Sequence, residues 1–300
     1  MNTLNQVILS PNPSISLYIK REDLLHPFIS GNKYRKLKYN LIQAGIENQS
    51  SLLTFGGAFS NHIAAVAYAG KRYGFSTIGI IRGEELTGKI SENPTLKFAS
   101  ECGMKLEFVT RESYKKKDSE VILKNLKERF GDFYLIPEGG TNALAIKGCT
   151  EILSAEDLEF DYICCSAGTG GTAAGISKSL SANQQLLIFP ALKGDFFDKV
   201  IRELTMEKNW RVMQGYDFGG YGKITTALVK FMNNFYKNTA IPLDPVYTAK
   251  MIFGVMDLIA KDFFPQGSKI LAIHTGGLQG IDGMNIALKK KNLPLIQLND

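Results

Sequence analysis

Short, almost wholly apolar runs recur along this chain, separated by longer amphipathic stretches. The runs at Ser51–Phe55, Thr77–Ile81, Lys105–Val109, Phe133–Ile136, Asp161–Ser166, Leu186–Phe189, Trp210–Gln214 and Lys269–Ile273 have strand length and read as strands. The segments between them read as helices: one through Leu41, then Ile63–Tyr73, about Asn93–Glu101, Tyr114–Phe130, one opened by Pro137–Asn142, one to about Leu180, then Phe197–Leu204, Thr226–Tyr236 and Val246–Ala260. Strand and helix in alternation predict an α/β chain of mostly parallel sheets with crossover helices. No repeat or low-complexity segment interrupts the pattern, and 300 residues suffice for about two such units.

Three loops change the picture from architecture to chemistry. Gly56-Gly57-Ala58-Phe59-Ser60-Asn61-His62 joins a strand to a helix with Ser or Asn at the N-cap, a shape that aims backbone N–H groups and a helix dipole at an anion. Ala167-Gly168-Thr169-Gly170-Gly171-Thr172-Ala173 does so more strongly: the glycines let the backbone curl into a concave row of donors, and the threonines add hydroxyls. Residues 168–173 also satisfy the Gly-x-Gly-x-x-Ala form of the dinucleotide fingerprint. Near the expected ribose-binding acid, however, the chain reads Leu187-Ile188-Phe189-Pro190, with Asp195 slightly beyond, so a single phosphomonoester suits the loop better. Without a ligand it is an ordinary strand–helix turn.

The third stretch, Ile29–Leu37, presents Lys33 after a Ser-Gly-Asn turn and ahead of a helix. An amine desolvated beside other cations loses its proton more readily and can attack an aldehyde. Taken alone, Lys33 reads as one more solvated surface lysine.

Composition narrows the partners. A net charge of +6 is mild, and its densest piece, Lys115-Lys116-Lys117, stands beside Asp118 and Glu120 rather than among aromatic residues, so no nucleic-acid partner is expected. Small anionic ligands suit it. Cys102, Cys149, Cys164 and Cys165 have no metal-ligand spacing and read as buried thiols, with no metal expected. No apolar run reaches membrane-spanning length, and Met1–Pro11 lacks the character of a signal peptide, so a cytoplasmic protein without membrane attachment is expected.

The pattern Gly31-Asn32-Lys33-x-Arg35-Lys36-Leu37, preceded by Lys20-Arg21-Glu22-Asp23-Leu24, resembles the lysine segment of the 1-aminocyclopropane-1-carboxylate deaminase and D-cysteine desulfhydrase family, enzymes that use pyridoxal 5'-phosphate (PLP). The resemblance spans Lys20 to about Gly280, with the family's motifs in order. It implies a fold-type-II, tryptophan synthase β-like homodimer of two α/β domains, residues 1–36 with 150–300 and residues 37–149, with PLP in the cleft between them. Lys33 would form the Schiff base, and Asn61 would lie beside the ring and bond its phenolic oxygen. Ser60 would place a hydroxyl near substrate and lysine. Gly168, Thr169, Gly170, Gly171 and Thr172 match the phosphate cup, Tyr221 the substrate-flanking tyrosine, and Tyr247 the tyrosine used at the reacting carbon. Singly, each tyrosine reads as a half-buried packing residue.

Two positions bear on the reaction. Ring-opening deaminases carry glutamate and leucine where this chain has Thr248 and Thr275. A threonine hydroxyl bonds the pyridine nitrogen without protonating it, which weakens the electron sink and favours loss of a good β leaving group such as thiolate. The resemblance therefore implies a lyase on a small amino acid, on the D-cysteine desulfhydrase side. The alternatives are a 1-aminocyclopropane-1-carboxylate deaminase, another D-amino-acid or serine-type dehydratase, or a non-catalytic phosphometabolite-binding protein. Two departures stand out: Ile63-Ala64-Ala65 replaces an Arg-Gln pair after His62, and Phe218-Gly219-Gly220 replaces a proline-containing tyrosine loop.

Overall fold

Two β-sheets carry the fold in the computed structural model, which describes residues 2–298. The chain enters through β1 (Asn5–Ile8) and β2 (Ser16–Lys20), an antiparallel pair, and passes through α1 (Asn32–Ile46). It then builds β3 (Ser51–Gly57), α2 (Asn61–Tyr73), β4 (Ser76–Arg82), α3 (Pro94–Glu101), β5 (Lys105–Val109), α4 (Arg111–Lys115), α5 (Glu120–Phe130), β6 (Tyr134–Ile136) and α6 (Ala143–Cys149). A second series follows: β7 (Tyr162–Ala167), α7 (Gly171–Ser177), β8 (Gln185–Pro190), α8 (Phe197–Leu204), β9 (Trp210–Val212), α9 (Thr226–Thr239), α10 (Thr248–Ala260), β10 (Lys269–Ile273) and α11 (Gly280–Lys290). The sheets run β5-β4-β3-β6 and β1-β2-β10-β7-β8-β9, and every pairing except β1–β2 is parallel.

The near-continuous apolar strands follow from this topology, because a parallel sheet covered by crossover helices buries both faces. Successive residues of β7 serve different cores: Cys164 packs with Leu187, Phe189 and Met251, and Cys165 with Ile188, Phe197 and Ile273. All four cysteines are free thiols. The four-stranded sheet likewise has a core on each face, one around Ile63, Val66 and Leu96 and one around Phe55, Ile80 and Tyr114.

Some elements differ from the sequence reading. The helix expected over Tyr114–Phe130 is two helices: Thr110 caps the first by accepting from Ser113 N, and Ser119 opens the second after a break at Lys116–Asp118. The helix after the glycine loop ends at Ser177, and the one expected from Val246 begins at Thr248. Strands β1 and β2 and helix α11 lie outside the elements that the apolar runs predicted.

Register brings the chemical segments together. Ile273 pairs with Lys20, and His274 N donates to Lys20 O at 3.0 Å, so the turn after β2 lies beside the His274–Gly277 turn. Buried ion pairs fix this end of β2. Lys20 Nζ lies 2.8 and 3.0 Å from the carboxylate of Asp157, with the two side chains 0% and 1% exposed. Glu22 takes the Arg35 guanidinium in two bonds of 2.8 and 2.9 Å, tying β2's exit to α1. Breaking a buried pair strands a charge where water cannot reach it. Asp157→Ala should therefore lower the free energy of unfolding in urea by about 3–5 kcal/mol. A loss below about 1 kcal/mol, the range of exposed pairs, would contradict the burial.

Candidate active site

The ends of β7 and β10 and the starts of α1 and α2 converge on a cleft lined by Lys33, Lys36, Asn61, Gly168–Gly170, Thr172, Tyr247 and Thr275 among others. Strand ends in open α/β sheets are where such clefts form. Gly31 sets the lysine in place. Its φ is +61°, and its Cα comes so close to Thr275 O that a Cβ there would lie 2.0 Å away. From this contact α1 starts, and Lys33 stands half-buried in its first turn. Burial, and then the neighbouring Lys36, lower the Lys33 amine from its ordinary 10.5 to about 7. No described group bonds its Nζ, and with its value near 7 a substantial share of the amine is free base at neutral pH.

Lys36, one turn along α1, is 2% exposed and donates to Gly139 O at 2.9 Å and Thr141 Oγ1 at 3.1 Å. Thr141 Oγ1 is in turn 2.5 Å from Thr169 Oγ1, and Asn32 Nδ2 donates to Thr172 Oγ1 at 2.7 Å. The lysine segment, the 139–141 turn and the glycine loop are thus laced together. Gly170, at φ +80°, curls the loop, and a Cβ at Gly171 would meet Thr141 Oγ1 at 2.9 Å and Lys36 Nζ at 3.3 Å. Backbone N–H groups, two threonine hydroxyls and a buried cation therefore surround one small space. That donor set fits a phosphate dianion.

Asn61 lines the opposite wall at the start of α2, capped by Ser60, whose Oγ accepts from Ile63 N at 3.3 Å. Ser60 itself is not among the cleft-lining residues, although its O–H remains free to donate. Thr275 is in the cleft, 3.3 Å from Ser166 Oγ at the end of β7. Thr248 is not: its Oγ1 accepts from Asp244 N at 2.7 Å and donates to Asp244 O at 3.3 Å. Tyr247 lines the cleft, with its ring edge-on to Tyr221 at 6.1 Å, and burial pushes its hydroxyl well above the ordinary value. Tyr221 sits at the mouth, 47% exposed, on a loop held by Lys250 Nζ, which donates to Asp217 O at 2.7 Å and Gly220 O at 2.8 Å. Burial lowers Lys250 to about 8.

The two departures noted in the sequence have different settings. Ile63, Ala64 and Ala65 are each at most 1% exposed. Phe218 packs edge-on to Phe253, so the glycine-rich tyrosine loop has an apolar anchor as well as Lys250.

Sequence reasoning did not single out Lys36, Ser166, Thr141 or Asp244. A signal existed for Lys36, since a residue three places after Lys33 on a helix shares its face. The others come from segments distant in sequence, and folding alone brings them to the cleft.

The profile of the pyridoxal-phosphate dependent enzyme family matches residues 5–276, and the chain belongs to that family. Within it the chain is one of the 1-aminocyclopropane-1-carboxylate deaminase and D-cysteine desulfhydrase group. It is 33% identical over 283 residues to a Pyrococcus horikoshii protein named provisionally as a 1-aminocyclopropane-1-carboxylate deaminase, covering 88% of this chain and 85% of that one. It is 31% identical over 296 residues to the mitochondrial bifunctional D-cysteine desulfhydrase/1-aminocyclopropane-1-carboxylate deaminase of Arabidopsis thaliana, covering 88% and 73%. The crystal structure of an ACC deaminase homologue superposes with a TM-score of 0.79 at 31% identity, covering 96% of this chain and 94% of that one. The fold is that of the fold-type-II PLP enzymes, and PLP is the cofactor.

Proposed function

We propose that the chain is a D-cysteine desulfhydrase, with Lys33 as the lysine that holds PLP and later moves the α-proton. The observation that carries the choice is the chemistry of the cleft wall. Among the described residues that line the cleft there is no aspartate or glutamate, and the pair next to β7's end is two hydroxyls, Thr275 and Ser166. PLP when bound supplies an electron sink for charge developing at the substrate α-carbon, and hydroxyl partners leave that sink weak. A weak sink suffices when the β leaving group is a thiolate, and it is a poor match to an unactivated ring.

The chain's own groups then divide the work. The glycine cup and Lys36 would hold the phosphate, and Asn61 would lie beside the ring. Ser60's free O–H and the unbonded N–H groups at the start of α2 would receive the substrate carboxylate. Lys33, partly a free base near neutral pH, would take the α-proton. Tyr247, kept protonated by burial, is the proton donor at the reacting carbons, and Tyr221 closes the mouth. Overall, D-cysteine and water yield pyruvate, ammonia and hydrogen sulfide. The two sheets with their helices act as two domains, residues 1–36 with 150–300 and residues 37–149. A cytoplasmic homodimer belongs to the same proposal: the free cysteines suit a reducing compartment, and exposed Leu24 and Phe28 offer an apolar face.

Ring opening of 1-aminocyclopropane-1-carboxylate is the second reading, favoured by the names that the similar proteins carry. Product analysis separates the two. Sulfide and pyruvate from D-cysteine, with 2-oxobutanoate from the cyclopropane substrate slower by about a hundredfold or more, are expected. Faster release of 2-oxobutanoate would reverse the assignment.

A further inference from the structure

Asp244, between α9 and α10, is fully buried, and no step above uses it. One carboxylate oxygen, Oδ1, is occupied: it accepts from Tyr247 N at 2.5 Å and Thr248 N at 3.3 Å. The other, Oδ2, is buried without a partner, and so is Oδ1 of Asn61. These two oxygens flank one turn. A Cβ built at Gly280 would lie 3.7 Å from each of them, and one at Gly277 would lie 3.1 Å from Asp244 Oδ2 and 2.5 Å from Asn61 Nδ2. Two buried acceptors beside the same turn, each lacking a donor, are costly as they stand. A single proton shared between them would satisfy both.

We infer that Asp244 is a positioning residue: its carboxyl, protonated on Oδ2, donates to Asn61 Oδ1 and so fixes the Asn61 amide with its NH2 turned to the cleft. The inference rests on Asn61 facing the PLP ring, where an NH2 stabilises the phenolic oxygen and a carbonyl repels it. With Asp244 ionised, the better arrangement is a flipped Asn61 that donates to the carboxylate and presents its oxygen to the cleft. Burial raises the Asp244 carboxyl from 3.8 to about 7 against the opposing pull of the Tyr247 and Thr248 N–H groups, so the protonated state is populated up to neutral pH. The ionisable groups acting on this site are Lys33 from α1, Lys250 from α10, and Tyr221 and Tyr247 at the mouth. From α2 comes the Asn61 amide, and from the turn before α11 come Gly277 and Gly280.

The test is PLP affinity of the reconstituted chain, by absorbance titration at about pH 6 and about pH 9, either side of the Asp244 value. Asp244→Asn keeps an acceptor for Tyr247 N and Thr248 N and offers a permanent NH2 to Asn61 Oδ1. It should bind within about threefold of wild type, whereas Asp244→Ala should lose roughly tenfold or more. Comparison with Asn61→Ala cancels the titration of Lys33. The wild-type advantage over Asn61→Ala should shrink about threefold or more as pH rises, and the same advantage measured in Asp244→Asn should stay constant. Asp244→Asn binding as poorly as Asp244→Ala, or a pH-independent wild-type advantage, would overturn the inference while leaving the site intact. Equal binding by wild type and Asn61→Ala at the lower pH would overturn Asn61's place beside the ring, and the inference with it.

Discussion

Replacing Lys33 by alanine should abolish turnover, by roughly a thousandfold or more, while leaving a folded chain that still takes up PLP without a covalent bond. In the proposed mechanism the amine is the one group whose loss removes both the covalent anchor and the base. Its setting predicts a second, opposite effect on the protein without cofactor. The Lys33 amine falls from 10.5 in the open chain to about 7 in the folded one, with burial the chief cause. Between those values the unfolded chain binds more protons than the folded one, so burying Lys33 costs stability there. Its contribution is neutral above about 10.5 and turns unfavourable as pH falls toward 7. Lys33→Ala should accordingly melt no lower than wild type at neutral pH, with the difference closing as pH rises toward 10. A variant retaining near-normal rates would remove Lys33 from the mechanism. A collapse of stability would mean that the lysine is structural.

Gly31→Ala should be nearly as damaging by another route. At φ +61° and ψ −137° the backbone is in territory that costs a residue with a Cβ about 1–3 kcal/mol. The new methyl would also meet Thr275 O at 2.0 Å and Gly276 N at 2.6 Å, backbone atoms that no rotamer can move aside. Relief requires the Ser30–Asn32 turn and the Thr275–Gly276 turn to separate, and overpacking of that kind costs a further 1–3 kcal/mol or so. Because Lys33 rides on the first turn and Thr275 on the second, affinity for PLP should fall together with stability. Gly45, in the same helix with nothing within 4 Å of its added Cβ, is the control. Gly45→Ala should raise stability by about 0.5–1 kcal/mol, since alanine suits a helix interior better. Matching losses at both sites would locate the effect in α1 generally rather than in the contact with Thr275.

The parts of this site legible in the sequence were those encoded within one stretch. Strand, glycine loop and helix are contiguous at Gly168–Thr172 and at Gly56–Asn61, so the local pattern states the loop geometry. Lys33 carries its own turn. What could not be read is which hydroxyl faces which way. Thr248 follows Tyr247 in sequence, but its Oγ1 closes on the backbone of Asp244 at the start of α10. Short side chains readily prefer such local backbone partners. Ser60 is drawn into the same kind of bond as the cap of α2. Ser166 and Asp244 entered no motif because their partners, Thr275 and Asn61, are distant in the chain. Strand β2 escaped notice for a different reason: Ser16-Leu17-Tyr18-Ile19-Lys20 buries only alternate residues on its way into the sheet until Lys20, whose burial depends on Asp157.

Borohydride reduction of the PLP-loaded protein, followed by digestion and mass mapping, bears most directly on the assignment of Lys33 as the cofactor lysine. A single modified peptide carrying reduced cofactor on Lys33 is the predicted result, with Lys36 unmodified because its amine is committed to Gly139 O and Thr141 Oγ1. Label on Lys36 or on another lysine, or PLP bound without any label, would contradict the account.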